Sequence, residues 1–373
     1  MNTIVITGLG VVSAIGVGAD AFTTGWTQRR SGITDASGMY DEKLPYERAG
    51  VVAGFDVVAY LGKKGTSSYD RTTAMTVVAV KLALEDAGRY RAPERDDEMS
   101  VILGATTGAL QATVDFMHET CVSDPPYLVN PMKFPYAVMN GPASAAAIRH
   151  RLGGANVTIS GGQVAMHSAL GYARRHLASG HGPVAAVGVV DEFTPARAWA
   201  SKLARDDVSG RAPIGEAAVF FVVEDVAAAR AAGRRVDAEI LAVVSGLYGY
   251  PGSVDDSVSG FVACIRTALE RAGVAPDEVW AVASSLGGSP RRDAIEQASL
   301  ATVFGTDMPI VLPVKELLGE TYTAAGGLQL AALLAEHRCD PARDGAISLV
   351  TSVTSEGMVG VAVVRGWSRA AGH

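Results

Sequence analysis

The sequence predicts an α/β fold made of two matched halves, in which apolar strands alternate with helices. Short runs of β-branched residues bounded by glycine recur between segments of helical length, as strands buried on both faces require. A helix in each half also ends in nearly the same residues, LEDAG at 84–88 and LERAG at 269–273, which indicates an internal duplication. We therefore expect two packed layers of mostly parallel strands, with halves at 1–236 and 237–373.

Composition narrows the class of protein. Hydrophobic residues make up 48% of the 373 residues and charged residues 19%, which suits a large buried core. The net charge of −7 argues against non-specific binding of nucleic acid, because such binding requires basic surfaces. No apolar run reaches membrane-spanning length and no basic leader precedes the first strand, so we expect a cytoplasmic protein without membrane contact. The three cysteines lie far apart and give no metal site.

Residues 3–16, TIVITGLGVVSAIG, predict a strand at 3–7 followed by a glycine-rich turn. A dinucleotide-binding loop of the GxGxxG type would need its third glycine at Ser13, and the TGxxxGxG pattern has Val12 at its second glycine. We therefore expect a strand that runs into an irregular loop, and no bound cofactor.

The other elements follow from the same periodicities. In the first half we expect helices at 69–88, 109–121 and 142–152, strands at 100–104, 184–190 and 215–224, a polar stretch up to 211 and a connector at 226–235. In the second half we expect strands at 238–246, 279–285, 309–313, 345–351 and 357–365, and helices at 258–273, 293–304 and 323–336.

The central feature is a strand at 156–160, a turn at Gly161 and Gly162, and a helix that begins at Gln163 and ends at Gly180. Such a corner lifts one side chain to the N-terminus of a helix, where free N–H groups stabilise a developing anion. Acyl-transfer enzymes place a Cys or Ser nucleophile at this point. A carboxamide is not a nucleophile, so the corner has the architecture for covalent catalysis without the reactive atom.

These segments resemble the β-ketoacyl synthases of the thiolase fold, nearly from end to end. The resemblance rests on TGLGVVSAIG at 7–16, on DRTTAM and ALEDAG within 70–88, on GEAA at 215–218, and on Lys315 with Gly319 and the AAG at 324–326. It implies an α/β thiolase fold whose two pseudo-duplicated, βαβ-rich halves form α-β-α-β-α layers. The first half would carry the nucleophile position.

When the three catalytic positions of that family are matched to this sequence, each is occupied by a different residue type. Active synthases have a cysteine and two histidines where this sequence has Gln163, Ser285 and Glu320, whereas the lysine of the family is kept as Lys315. Condensation requires a thiolate to hold the acyl chain and imidazoles to promote decarboxylation and stabilise the enolate. The resemblance therefore implies that no catalytic residue is present.

Glutamine at the corner resembles the chain length factor, the ketosynthase-β subunit of type II polyketide synthases, as do residues 163–175 and 188–200. This resemblance implies a heterodimer with an active ketosynthase-α subunit, an acyl carrier protein bearing malonyl and the growing polyketide, and control of chain length. One alternative is an independent malonyl-carrier-protein decarboxylase that uses Gln163. Another is a homodimeric acyl-binding protein outside polyketide synthesis.

Two roles are open for each replaced residue. Gln163 either mimics a thioester carbonyl and aids decarboxylation, or fills the corner as an inert side chain. Ser285 and Glu320 either form a polar relay with Lys315, or leave a structural Lys315–Glu320 ion pair, which we favour because buried charges are normally paired.

The resemblance also implies a polyketide tunnel along the helix at 109–121. Ala109, Ala112 and Phe116 recur at helical spacing, and the two small residues predict a longer or wider cavity, suited to a linear, polyene-type product. Ordinary helix packing is the alternative. Segment 130–141 mixes prolines with large apolar side chains, which favours burial against another subunit or around a tunnel. The expected dimer-interface residues are Met132, Phe134, Tyr136, Met139 and Asn140.

Overall fold

The computed structural model describes residues 3–91, 94–203, 212–248 and 253–369. The strands are β1 (Ile4–Ser13), β2 (Gly16–Val17), β3 (Ile33–Asp35), β4 (Arg48–Gly50), β5 (Met99–Ala105), β6 (Asn156–Ser160), β7 (Val184–Asp191), β8 (Ala217–Asp225), β9 (Ala238–Leu247), β10 (Val279–Ala283), β11 (Ile310–Leu312), β12 (Ile347–Val353) and β13 (Met358–Gly366). The α-helices are α1 (Ala19–Thr27), α2 (Val57–Leu61), α3 (Arg71–Asp86), α4 (Leu110–Val122), α5 (Phe134–Ala137), α6 (Gly141–His150), α7 (Ala165–Ala178), α8 (Pro195–Leu203), α9 (Val226–Ala231), α10 (Val254–Ala272), α11 (Pro290–Phe304), α12 (Val314–Leu318) and α13 (Ala325–Cys339).

The two halves repeat one strand pattern. In the first half the order is β6-β5-β7-β8-β1, and in the second it is β11-β10-β12-β13-β9. The first three strands of each series are parallel and the last two are antiparallel to their neighbours. The expectation of mostly parallel strands is therefore wrong. β13 follows β12 through a tight turn, and β1 lies between two antiparallel neighbours.

The halves are joined and layered through a few elements. β1 pairs with β9 over Ile4–Ile6, so that one sheet runs through both halves. Helices α7 and α13 each contact strands of both halves, which places them between two facing parts of this sheet. Helix α3 covers the outer side of the first half and α10 that of the second. The predicted α-β-α-β-α layering is thus confirmed. The division at Val236 stays a prediction.

The loop expected after residue 7 is a strand in the structure. β1 continues to Ser13, and its glycines contact α3: a Cβ added at Gly8 would lie 2.4 Å from the Ala83 carbonyl oxygen, and one at Gly10 would lie 2.0 Å from that of Ala79. These glycines therefore allow a helix to lie directly on the strand.

Two helices were missed in segments expected to be irregular. Helix α8 lies in the stretch expected to be polar, of which 204–211 is outside the described residues. Helix α9 lies in the expected connector, where the Asp225 carboxylate accepts a hydrogen bond from the Ala227 N–H at 2.8 Å and caps the helix. Both are too short for apolar periodicity to distinguish them from loops.

Candidate functional site

The corner predicted from the sequence is present. β6 ends at Ser160, and a single 3-10 turn, Gly162–Val164, leads into α7. Gly162 has φ +54°, a conformation that favours glycine, and a Cβ added at Gly161 would lie 2.9 Å from the Cα of Ala165. Both glycines are needed for the chain to reverse so tightly. Gln163 is thereby placed at the start of α7, where it is 8% exposed.

Both ends of the Gln163 carboxamide have partners. Its Oε1 accepts a hydrogen bond from Nη1 of Arg292, which lies in the first turn of α11. Its Nε2 donates to Oε2 of Glu320 across 3.5 Å. Sequence reasoning missed Arg292, because no local pattern links it to a residue so distant in the chain.

Glu320 is the centre of a buried charge cluster. Its Oε2 accepts a hydrogen bond from Lys315 Nζ at 2.9 Å and lies 3.7 Å from Arg292 Nη2, whereas its Oε1 accepts from the Tyr322 N–H at 2.9 Å. The predicted Lys315–Glu320 ion pair is therefore present. Burial alone would raise the pKa of Glu320, but the cations of Lys315 and Arg292 outweigh it and hold that pKa below its ordinary value.

The Ser285 side chain contacts Glu296 and not Lys315. The backbone N–H of Ser285 donates to Glu296 Oε1 at 3.1 Å, and its hydroxyl donates to the other oxygen of the same carboxylate. Lys315 instead contacts the Ser285 carbonyl oxygen, at 2.6 Å. Thr351 also donates to Glu296, whose pKa is raised by complete burial. The serine hydroxyl is thus used in holding Glu296, and it is the backbone of Ser285 that binds the lysine.

His167 lies one helical turn beyond Gln163 but belongs to the core. Its Nε2 lies 3.1 Å from the Val350 carbonyl oxygen, and complete burial lowers its pKa to about 4. A Cβ added at Gly360 would lie 2.6 Å from the imidazole, so a strand packs directly against the ring. The imidazole is therefore held by packing in the core and does not line the cavity over the corner.

Two cavities border the cluster. One cavity, of 360 Å³, lies over the corner, between Gln163, Thr106 and Met358. A second cavity, of 580 Å³, is bordered by Tyr46 and Glu320. Arg197, Arg292 and Tyr322 line both cavities.

The helix expected to line a tunnel is fixed at its N-terminal end by a buried carboxylate. Ala109 is buried and Ala112 half-buried, and Phe116 packs edge-on against Phe134 with ring centroids 6.0 Å apart. The N–H of Gln111 donates to Glu192 Oε1 at 2.9 Å. Within this chain Phe116 packs against α5, and the role of all three residues in a tunnel stays a prediction.

An apolar surface surrounds the expected interface residues. Met132 and Phe134 are 71% and 56% exposed, whereas Tyr136 and Met139 are half-buried and Asn140 is exposed. Further large apolar side chains on α4 and the segment after it are exposed: Val114, Met117, Val122, Tyr127 and Leu128. We call these residues, with Met132 and Phe134, the α4 patch. Large exposed apolar patches mark sites of protein association.

β6 lies at one end of the sheet, and none of the described strands pairs with its outer side. An open edge of this kind is a template for pairing with another chain. In the part of the chain that the structure describes, no helix is both long and apolar enough to cross a membrane.

Comparison with known proteins assigns the class. The model of the β-ketoacyl synthase N-terminal domain matches residues 1–212, and that of the β-ketoacyl synthase C-terminal domain matches residues 238–338. The chain belongs to the β-ketoacyl synthase family, as its resemblance predicted.

Within that family, its relatives include ketosynthase β subunits of polyketide synthases. The tetracenomycin polyketide synthase ketoacyl synthase beta subunit of Streptomyces glaucescens is 30% identical over 90% of this chain and 86% of its own length. The actinorhodin polyketide putative beta-ketoacyl synthase 2 of Streptomyces coelicolor is 28% identical over 95% of this chain and 89% of its own length. The ishigamide ketosynthase/chain length factor is a solved structure with a TM-score of 0.88 and 35% identity, covering 98% of this chain and 100% of that one.

Proposed function

We propose that this chain is the chain length factor of a type II polyketide synthase. It pairs with an active ketosynthase-α subunit, forms part of the tunnel that receives the growing polyketide, and does not condense acyl units itself. The observation that carries the proposal is the corner of an acyl-transfer fold occupied by Gln163, whose carboxamide is held between Arg292 and Glu320.

The chemistry of the corner supports a subunit without condensing activity. A Claisen condensation needs a nucleophile that can carry the acyl chain, and an amide nitrogen or oxygen cannot do so. An enolate also needs donors or cations directed at its oxygen, whereas Glu320 brings a carboxylate to that position. Of the four positions carried over from active synthases, the resemblance keeps only the lysine, Lys315. Its ammonium is bound by the carboxylate of Glu320 and the carbonyl oxygen of Ser285.

The surface supports a partner of the same fold. The open edge of β6 and the α4 patch together offer backbone hydrogen-bonding groups and apolar side chains to another subunit. We place the ketosynthase-α subunit on this surface, in contact with Met132, Phe134, Tyr136, Met139 and Asn140. Because Phe116 contacts Phe134, the expected tunnel helix and the expected interface are adjacent.

The substrates follow from this role. The partner subunit receives malonyl units from an acyl carrier protein, and the elongating chain extends towards Ala109, Ala112 and Phe116. A linear, polyene-type product fits the small side chains at 109 and 112 and stays a prediction. We place the complex in the cytoplasm, with support from the free thiols of Cys121, Cys264 and Cys339, which suit a reducing compartment.

A second candidate is decarboxylation of malonyl-carrier protein by this chain alone. The cavity of 360 Å³ beside Gln163 favours it, because it offers space at the corner. The contact with Arg292 counts against it, since that guanidinium already occupies the carboxamide oxygen. Release of carbon dioxide by the purified chain, and its loss in Gln163→Ala, would favour this candidate.

The proposal is tested by co-expressing the chain with its ketosynthase-α subunit and measuring the solution mass and the products formed from malonyl-carrier protein. We expect one-to-one association and polyketide formation only when both chains are present. Separate elution of the two chains, or full activity of the partner alone with unchanged product length, would overturn the proposal.

A further inference from the structure

Helix α4 begins without a capping side chain of its own. The residue before it is Ala109, whose methyl group cannot accept a hydrogen bond from the free N–H groups of the first helical turn. One of those groups, the N–H of Gln111, donates instead to the Glu192 carboxylate at 2.9 Å, although the two residues are 81 positions apart. The cap of this helix therefore comes from another element of the fold.

The Glu192 carboxylate is itself held at both oxygens. Its Oε1 also lies 3.4 Å from the Thr194 hydroxyl, and its Oε2 accepts a hydrogen bond from the Thr72 hydroxyl of α3 at 2.8 Å. All three of these side chains are buried. Because the carboxylate follows directly after β7, the point at which α4 begins is set by β7 and α3.

The side chain of Gln111 makes a second connection. Its Oε1 accepts a hydrogen bond from the N–H of Ala196, in the first turn of α8, at 2.9 Å. Its Nε2 donates to Asp115, one turn further along α4, at 2.8 Å. The next residue of α8, Arg197, lines the cavity over Gln163. Gln111 thus links α4 to a helix that borders the corner.

A short stretch of chain separates α4 from the corner. Thr106 lines the cavity over Gln163, and its hydroxyl is hydrogen-bonded to that of Thr323 at 2.5 Å. The segment 106–111 is therefore fixed at one end by Thr323 and at the other by Glu192. None of the residues of α4 itself is buried, and a helix without a buried face gains little from packing. Its position depends on the anchor at Gln111.

We propose that Glu192 is a positioning residue for product length, which holds α4 at the distance from the corner that the polyketide tunnel requires. The inference deepens the proposed function, because it relies on α4 as a wall of that tunnel. Ala109 and Ala112 lie within two residues of Gln111, so a displacement of Gln111 moves both side chains expected to face the product. A wall that is free to shift ends the tunnel at no single length.

Two substitutions at Glu192 test the hydrogen bond. Glu192→Gln keeps a carbonyl oxygen for the N–H of Gln111, and since burial raises the pKa of Glu192 to about 7, the amide also resembles the neutral acid. Glu192→Leu has no acceptor. We expect Glu192→Leu to speed amide hydrogen exchange in peptides covering 106–116 about tenfold, because a buried N–H loses its partner. Glu192→Gln should restore slow exchange.

The readout specific to positioning is the product distribution of the complex with the ketosynthase-α subunit, measured by mass spectrometry. In Glu192→Leu we expect the ratio of the main product to products one malonyl-derived unit longer or shorter to fall at least threefold, whereas Glu192→Gln keeps the ratio. Gln111→Ala loses the link to Ala196 and should give a smaller fall. It also tests the anchor at a half-buried site should Glu192→Leu fail to fold.

Two controls separate positioning from general loss of stability. Thr7→Val removes a buried hydroxyl that donates to Glu224 at 2.6 Å, between β1 and β8. Asp115→Ala removes the other hydrogen bond of the Gln111 amide, the one within α4. Partial unfolding lowers the total amount of product, so we expect both controls to leave the exchange at 106–116 and the product ratio unchanged.

Unchanged exchange in Glu192→Leu would overturn the inference, as would an unchanged product ratio or an equal fall in Thr7→Val. Exchange is measured on the isolated chain as well as on the complex. Failure to form the heterodimer would therefore contradict the proposed function, while the exchange at 106–116 still decides whether Glu192 anchors α4.

Discussion

The ammonium of Lys315 lies 2.9 Å from the carboxylate of Glu320, and both side chains are buried. Glu320 stands where the family resemblance expects a histidine. A carboxylate at that point binds the lysine and Arg292, and the three groups form a structural cluster beneath Gln163. The cluster pairs each of these buried charges, which is how the fold accommodates a carboxylate at position 320.

The lysine of this pair should contribute strongly to stability. We expect Lys315→Met to lower the free energy of unfolding by about 3 kcal/mol, because it leaves a buried carboxylate with only Arg292 opposite it. The double variant Lys315→Met with Glu320→Gln should lose less than the sum of the two single variants. Denaturant unfolding of the four chains measures this coupling. Strictly additive losses would contradict a direct interaction.

Glu192 should make stability depend on pH. Burial raises the pKa of Glu192 to about 7, against hydrogen bonds from Gln111 and Thr72 that act to lower it. The folded chain therefore holds this proton more tightly than the unfolded chain does. The resulting stabilisation is complete at pH values below the unfolded pKa, about 4.3, and is lost as the pH rises through 7.

Glu192→Gln removes this titration while keeping a side chain of the same shape. Between pH 5 and pH 8 we expect the wild type to lose about 2 kcal/mol of unfolding free energy relative to the variant. Because other titrating groups are common to both chains, they cancel in the difference. Urea unfolding across this pH range gives the two curves. If they run parallel, Glu192 is not protonated in the folded chain near neutral pH.

Enlarging Ala112 should shorten the polyketide made by the complex. Ala112 is half-buried on α4, and a leucine there would add three carbon atoms to a position predicted to line the tunnel. We expect Ala112→Leu to shift the main product to a length shorter by at least one malonyl-derived unit, as measured by mass spectrometry. The matched control is Ala298→Leu at an exposed site on α11. An unchanged product would favour ordinary helix packing at Ala112.

A charge in the α4 patch should weaken association with the partner. Phe134 is 56% exposed, and Phe134→Glu would place a carboxylate where apolar contact is expected. We expect the dissociation constant to rise at least tenfold, equivalent to about 1.4 kcal/mol. Met308→Glu, at a residue 44% exposed just before β11, serves as the control and should leave affinity unchanged. Equal affinity for both variants would place the interface elsewhere.

Local patterns predicted much of the fold. The corner at Gly161, Gly162 and Gln163 follows from a β-branched strand, two glycines and an amphipathic helix, all within one stretch. The Lys315–Glu320 pair was also predictable, because two opposite charges near one buried turn have few other partners.

Features that depend on distant packing could not be predicted in the same way. The local pattern at Gly8 and Gly10 predicts a turn, whereas these glycines make room for α3, whose position no local pattern gives. Arg292 reaches Gln163 only because α11 begins beside the corner in the folded chain. The hydroxyl of Ser285 is directed by Glu296, an acidic residue whose complete burial is unusual for its type.

The central claim is tested most directly by the intact mass of the isolated chain after incubation with acyl- and malonyl-carrier protein. We predict that its mass stays unchanged and that no elongated thioester forms until the ketosynthase-α subunit is added. An acyl adduct on the isolated chain, followed by elongation without the partner, would contradict the account.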